Sequence, residues 1–358
     1  MAERLLSDWV AAEVQLAPEI VPLLRRRYAI LRALAVAAPV GRRALAERLS
    51  VPERPLRADL EVLRQQGILS VSAAGMSLTE GGKRAYLGLQ PLVEQLLGLD
   101  VLAQQVRISF GLPMVQVVSG DADLDPFVIE EMGQSAAGLL VSWLRDPQAV
   151  LVVTGGTTVA AVGRALTARG ERFPHLRVLP GRGGLGERVE LQASTIAAQI
   201  ATAAGASYRM LHVPDPISPQ LYEELQRDPL IADTLAQITT GTLLLHGIGD
   251  ARTMAERRGL SAEQVRSLLA SGAQGEAFGF YLDANGRIVR ETPALGVRLE
   301  QLPRFQHILA VAGGSAKVAP VLAVLRFYHR MQLAPTLVTD EACARGLIHI
   351  AKEEQPWQ

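Results

Sequence analysis

Two stretches of this sequence repeat one order of residue types. Val152-Val153-Thr154-Gly155-Gly156-Thr157-Thr158 passes from a β-branched strand pattern through paired glycines and hydroxyls into a helical pattern. Ala310-Val311-Ala312-Gly313-Gly314-Ser315-Ala316-Lys317 does the same. Paired glycines let backbone amides approach an anion, and a helix N-terminus adds unpaired N–H groups and the positive end of its dipole. Hydroxyls on Thr157, Thr158 and Ser315 can donate to phosphate oxygens, while Arg182, Arg257 or Arg258, and Lys317 can supply countercharge. Two more glycine-rich segments, Pro180–Gly186 and Leu245–Asp250, also follow strand patterns. The chemistry implied is retention of a phosphate group. No GxxxxGK(S/T) loop is present, so ATP is a poor candidate and a small phosphorylated metabolite fits better.

Other reactive types give little. His175, His212, His307, His329 and His349 show no paired spacing, so no metal site is expected. His246 closes an apolar run, Leu243-Leu244-Leu245, and reads as a half-buried structural histidine. The single cysteine, Cys343, permits no intramolecular disulfide and points to the cytoplasm. Glu3, Asp8, Glu13 and Glu19, with no basic cluster leading an apolar core, argue against a signal peptide. No run of about 18 apolar residues could span a membrane.

The glycine loops need a sheet to hold them. Short β-branched or apolar runs occur at Val115–Val118, Val150–Val153, Val178–Pro180, Tyr208–Val213, Leu243–His246, Ile308–Val311 and Thr336–Val338. Helical patterns such as Val159–Ala168, Leu191–Ala204, Ala262–Ala270 and Val318–Arg326 separate them. This alternation predicts an α/β fold: a doubly wound, mostly parallel sheet with helices on both faces, over residues 113–358. Its sites belong where strands end in glycine loops before helices.

The N-terminal part has a different character. Formal charge over the 358 residues is zero, with 36 basic and 36 acidic side chains. Residues 21–90 nevertheless hold twelve basic and five acidic residues, a net of +7, which leaves −7 for the rest. In that segment Ala44, Leu45 and Leu49 edge a short helix that stops before Pro52. A second helix is predicted from Glu53 to Gln66, ended by Gly67, with Leu56, Leu60 and Leu63 as its buried stripe. Arg54 falls nearly opposite that stripe, and Arg57 and Arg64 on its flank. Strands Ile68–Ser72 and Met76–Thr79 follow, joined through Ala73-Ala74-Gly75. Helix, turn, helix and β-wing in a basic segment predict a winged helix-turn-helix over residues 28–90 that binds double-stranded DNA. Arg42, Arg43, Arg54, Arg57 and Arg64 are its candidate contacts, each to base edge or phosphate. A lead helix over 1–27, with Trp9, Leu16 and Leu23-Leu24, and one linker helix over 91–112, a candidate for subunit contacts, complete the domain scheme.

TGGTTVAAV (154–162), GRGGLGE (181–187), LLHGIGDARTMAERR (244–258), EAFGFY (276–281) and VAGGSAKV (311–318) stand in order behind GRRALAERL…RADLEVLRQQG. Together they resemble the SorC family of sugar-responsive transcription regulators from about residue 28 onward. The resemblance implies a winged-helix domain joined to an effector domain of the phosphosugar isomerase/deaminase type. It implies a repressor of a glycolytic operon, induced by fructose-1,6-bisphosphate, a homo-oligomer (a dimer, or a tetramer built from dimers), and no cofactor. Carried over by motif, the ligand contacts are Thr157 and Thr158 with the amides of Gly155 and Gly156, Arg182, Arg257, Glu276, and Lys317 with Gly314 and Ser315. Arg257 is preferred over the adjacent Arg258 by the motif alone. Glu276 is assigned to sugar hydroxyls, and Gln192 either to the pocket or to its helix surface.

A phosphosugar isomerase or deaminase is the alternative, since fold does not transmit function. Deaminases of that type continue the strand end matching HGIGD with a glycine and a histidine. Here Asp250 is followed by Ala251-Arg252, so the acid–base pair is missing and no catalysis is expected.

Overall fold

In a computed structural model the protein is described over residues 16, 19–49, 51–184, 188–214 and 217–354. The lead helix expected over 1–27 lies outside those residues up to position 18, Leu16 apart. The chain forms two compact units, Met1–Leu102 with Asp125–Phe127, and Ala103–Leu124 with Val128–Gln358.

The first unit comprises α1 (Ile20–Ala37), α2 (Arg42–Arg48), α3 (Glu53–Gln65), β1 (Leu69–Ser72), β2 (Gly75–Leu78) and α4 (Glu80–Leu96). Pro52 stands as the extended N-cap of α3, with φ −61° and ψ 141°. Gly67 ends the helix at φ +69°. Its amide and that of Ile68 return to the carbonyls of Arg64 and Leu63, a Schellman closure. Leu56, Leu60 and Leu63 are buried as the spacing requires, packed in one core with Leu45, Leu69, Met76 and Leu78. Tyr28, Ile30, Leu31 and Leu34 of α1 belong to the same core, and Tyr28 stacks on Tyr86 at 5.4 Å. The boundary drawn at 27/28 therefore falls inside α1, and the one at 90/91 inside α4. A single helix over 91–112 does not form. Gly98, at φ +63°, separates α4 from α5 (Leu99–Ser109).

The apolar stripe of α3 contains one charge that the spacing analysis passed over. Asp59 is buried and pairs with Arg26, and with Arg27 at 3.1 Å, both on α1. Burial would raise its pKa, but the two guanidiniums hold it below the usual carboxylate range. A depressed carboxylate pKa contributes stability above the unfolded-state value, and that stability is lost as pH falls through the folded-state value. Asp59→Asn should lower stability by about 2 kcal/mol near neutral pH. In thermal melts, the gap to the parent should shrink once pH drops below about 3.9, the free-carboxylate value.

The second unit runs from the end of α5 through β3 (Val115–Val118), α6 (Phe127–Leu144), β4 (Val150–Val153), α7 (Thr157–Arg169), β5 (Arg177–Pro180), α8 (Ala193–Ala204) and β6 (Ser207–Tyr208). Helices α9 (Pro219–Arg227) and α10 (Pro229–Ile238) lead to β7 (Leu243–Gly247), β8 (Gly249–Asp250), α11 (Ala251–Arg257) and α12 (Ala262–Ala270). Strands β9 (Ala273–Ala277), β10 (Phe280–Asp283), β11 (Ile288–Glu291) and β12 (His307–Val311), then α13 (Val318–Arg330), β13 (Thr336–Asp340) and α14 (Glu341–Glu353), complete it. Seven strands form a sheet in the order β3-β13-β12-β7-β4-β5-β6, with every pairing parallel. All residues of β4 and β13 are buried, as in a parallel sheet covered on both faces.

From β4 the chain steps outward to β5 and β6, whereas from β7 it proceeds to β12 and β13 on the other side. The crevice between the ends of β4 and β7 is thus the topological switch point, where ligands of open α/β sheets bind. Register keeps the strand ends level: Val153 pairs with Leu245 and Pro180, and Val311 with Gly247.

Two elements of this unit depart from expectation. Tyr208–Val213 shortens to the two-residue edge strand β6. The helix expected from Leu191 starts at Ala193, leaving Gln192 extended at φ −74° and ψ 140°. The EAFGFY segment builds β9 and β10 of a separate antiparallel sheet, ordered β11-β10-β9-β8.

Candidate functional site

At the switch point lies a cavity of about 260 Å³. The N-terminus of α7 opens into it. Gly155 leaves no room for a side chain, since a Cβ there would stand 2.6 Å from the Leu191 carbonyl. Gly156 takes φ +122° and turns the chain into the helix without a side-chain cap. The amides of Thr157, Thr158 and Val159 then lack intrahelical acceptors and form an anion nest. Two details correct the expected roles. The Gly156 amide is committed to the Leu191 carbonyl at 2.9 Å. The Thr158 hydroxyl donates to the Val311 carbonyl at 2.9 Å, so it ties β12 to α7, while Thr157 keeps an exposed hydroxyl.

Charged groups converge on this nest. Arg182, from the loop after β5, is buried and lies across the backbone of Gly279, where a Cβ would stand 1.9 Å from its guanidinium. That loop has GxGxxG spacing over Gly181–Gly186, yet among the described residues the next helical element is only the 3₁₀ turn Val189–Leu191. It is therefore no dinucleotide turn. Glu276 on β9 is buried and accepts from the Gly279 amide and from Arg258 at 2.9 Å. Burial opposes its charge, but Arg258 and Arg182 keep its pKa below the usual carboxylate value. Arg258 also donates to the Tyr281 hydroxyl at 3.0 Å and is buried, whereas its neighbour Arg257 is exposed at the cavity wall. The two arginines thus differ: Arg258, which also borders the cavity, is buried and paired with Glu276, whereas Arg257 is exposed there. Lys317 donates to the Ile248 carbonyl at 2.8 Å. Burial lowers its pKa, opposed by Asp250, Asp123 and Glu276.

Gly155, Gly156, Thr157, Thr158, Arg182, Gln192, Arg257, Glu276 and Lys317 all line the cavity. Gln192 stands on the cavity wall, immediately before α8. Gly314 and Ser315 do not line it. Their loop faces the segment after β3, where the Ser315 amide donates to Asp121 at 3.1 Å and the Ala316 amide to Asp123 at 2.7 Å. Carboxylates already fill that second nest, so the repeated glycine pattern yields one open anion site. Sequence reasoning missed Asp123, which also borders the cavity, because nothing near it in the chain points to the loop almost two hundred residues away.

His246 is buried. Its Nδ1 meets the Gly247 carbonyl at 3.0 Å, and its Nε2 meets the Tyr328 hydroxyl at 2.8 Å. Burial lowers its pKa to about 4, so at neutral pH it is uncharged, with both nitrogens engaged. It is a core histidine. Among the described residues no three His, Cys, Asp or Glu side chains gather to hold a metal ion.

On the first unit, Arg42, Arg57 and Arg64 line a groove between α3 and the β1–β2 wing. Arg64 is held by Glu61 at 2.8 Å, Arg43 by Glu47 at 3.1 Å, and Arg42 lies 3.8 Å from Glu53. Arg54 and Arg57 are exposed and make no ion pair among the described residues. Arg26 and Arg27 share the buried Asp59, so these three charges contribute a net +1 to the +7 of the segment.

Residues 23–93 match the family described as "CggR N-terminal DNA binding domain", and residues 94–349 match "Putative sugar-binding domain". The chain is similar to the Central glycolytic genes regulator of Priestia megaterium, at 36% identity over 95% of this chain and 98% of that protein. It is similar to the Bacillus subtilis protein of the same name at 34% identity, over 96% and 99%. A crystal structure described as a "putative SorC family transcriptional regulator" from Enterococcus faecalis superposes with a TM-score of 0.62 at 31% identity, covering 69% of this chain and 99% of that one.

Proposed function

The chain belongs to the central glycolytic genes regulators of the SorC family, and on that premise we propose that it represses a glycolytic operon and is released by fructose-1,6-bisphosphate. A DNA-binding domain precedes a sugar-binding domain, so the protein is a sugar-responsive transcriptional repressor. The observation that carries the finer reading is the uncapped nest at Thr157–Val159, with Arg182 and Lys317 lining the same cavity and Arg257 at its wall. The nest, Arg182 and Lys317 suit one phosphate. Arg257 suits a second, and Glu276 the hydroxyls between.

Induction is a population shift. The homo-oligomer without ligand favours a state that binds operator DNA cooperatively, and the bisphosphate favours one that does not. The ligand moves the balance only by its differential affinity for the two states. Operator DNA and sugar phosphates as partners support a cytoplasmic location. No helix among the described residues is long and apolar enough to cross a membrane.

A calorimetric titration with fructose-1,6-bisphosphate, with analysis of the recovered sugar, tests this reading. Saturable binding, unchanged sugar and loss of operator retention are expected. Conversion of the sugar would move the protein to the isomerase class, and absence of binding would refute the effector.

A further inference from the structure

The hairpin that supplies Glu276 to the pocket contains a conformational anomaly. Ala277 pairs with Phe280 across β9 and β10, so the turn has only two residues, Phe278 and Gly279. Their φ values are +55° and +87°, as a type I′ turn requires. Asn-Gly is the favoured pair for such a turn, and a bulky side chain in the left-handed region is strained. Strain of this kind persists where surrounding structure enforces it, and it clusters at ligand sites. Gly279 has its own reason, because Arg182 occupies the space a side chain would need. Phe278 has no comparable turn-forming virtue.

Its surroundings suggest what it does. Phe278 borders the same cavity as Thr157, Arg182, Glu276 and Lys317. Its ring lies 4.6 Å from that of His246, tilted by 47°. His246 is held in turn by Tyr328 and the Gly247 carbonyl, as described above. The ring is therefore pinned from behind by a rigid, uncharged stack, amid phosphate-binding and hydroxyl-binding groups.

We propose that Phe278 is a specificity-determining residue of the effector pocket, an aromatic platform against which the C–H face of a phosphorylated sugar packs. Pockets for small ligands combine such apolar surface with a few fixed polar groups, and aromatic faces suit flat apolar contact. The platform discriminates: inorganic phosphate occupies the amide nest and gains nothing from the ring, whereas a sugar phosphate gains from both. This inference rests on the reading of the cavity as a phosphosugar site.

Phe278→Asn removes the ring and installs a residue the turn favours, and Phe278→Tyr keeps the face. Each full-length protein is titrated with fructose-1,6-bisphosphate and, separately, with inorganic phosphate, and its melting temperature is recorded. The Asn variant trades the ring's packing on His246 for a residue the turn favours; it should still unfold in one cooperative transition, keep its affinity for inorganic phosphate and lose about tenfold or more in affinity for the sugar bisphosphate. The Tyr variant should bind as the parent does. An Asn variant that keeps full sugar affinity overturns the platform alone. A parent that binds the sugar bisphosphate no more tightly than inorganic phosphate overturns both the platform and the phosphosugar reading. Equal losses for both probes would assign Phe278 to the shape of the pocket and also overturn the proposal.

Discussion

Lys317→Ala is expected to bind operator DNA as the parent does and to ignore fructose-1,6-bisphosphate at concentrations that release the parent. Lys317 stands at the start of α13, with its ammonium drawn into the cavity by the Ile248 carbonyl. Burial makes the charge costly there, and Asp123, Asp250 and Glu276 offset that cost only in part. An arriving phosphate dianion completes the compensation. Deleting the lysine removes a charge-assisted hydrogen bond of about 2 kcal/mol, roughly a thirtyfold loss in affinity. The arithmetic of release amplifies this: a ligand that binds one state weakly cannot shift a population it formerly controlled. Electrophoretic mobility shift at graded ligand concentrations, beside calorimetry on the free protein, measures both quantities. The pH dependence carries a second signature. A lysine with a lowered pKa loses its proton earlier as pH rises, so ligand affinity in the parent should fall on the alkaline side before an ordinary lysine would titrate. The variant should lack that limb. Full inducibility of Lys317→Ala would remove the lysine from the site.

Much of this architecture can be read from local order along the chain, and its limits have physical causes. Strand–glycine–helix alternation places Thr154–Thr158 correctly, since the need for Gly155 and Gly156 is set by backbone approach and φ, which are local properties. The same pattern at Gly313–Lys317 misleads for Gly314 and Ser315. Whether an amide nest is open depends on what another segment places in it, and Asp121 and Asp123 arrive from the end of β3. Asp59 shows the same limit on the first unit. A carboxylate on an apolar stripe looks like an interruption until Arg26 and Arg27 approach from α1. Arg257 and Arg258 are indistinguishable as neighbours in sequence. They separate once helix geometry turns one toward Glu276 and leaves the other exposed.

That separation of paired from unpaired arginines carries the second large effect, on DNA. Arg57→Ala should abolish specific operator binding at physiological salt while leaving effector binding unchanged. Arg43 and Arg64 are engaged by Glu47 and Glu61, so moving them onto DNA means giving up an existing partner. Arg57 makes no ion pair among the described residues, although it acts on Glu61 through space, and it lines the groove between α3 and the wing beside Arg42, where a helix-turn-helix places its recognition surface. Arg54 lies one turn earlier, exposed but outside that groove. A bidentate arginine on guanine is worth about 1–3 kcal/mol of discrimination. In an oligomer reading repeated half-sites the loss recurs at each one, so two half-sites alone give a loss from about thirtyfold to more than ten-thousandfold. Arg54→Ala serves as the internal contrast. As a phosphate contact it should weaken specific and non-specific DNA alike, and reduce the slope of log affinity against log salt by about one. Fluorescence anisotropy on operator and scrambled duplexes across a salt series separates the two behaviours. If Arg57→Ala loses specific and non-specific affinity in equal measure, Arg57 contacts the backbone, and base reading must come from other groups of the α3–wing face.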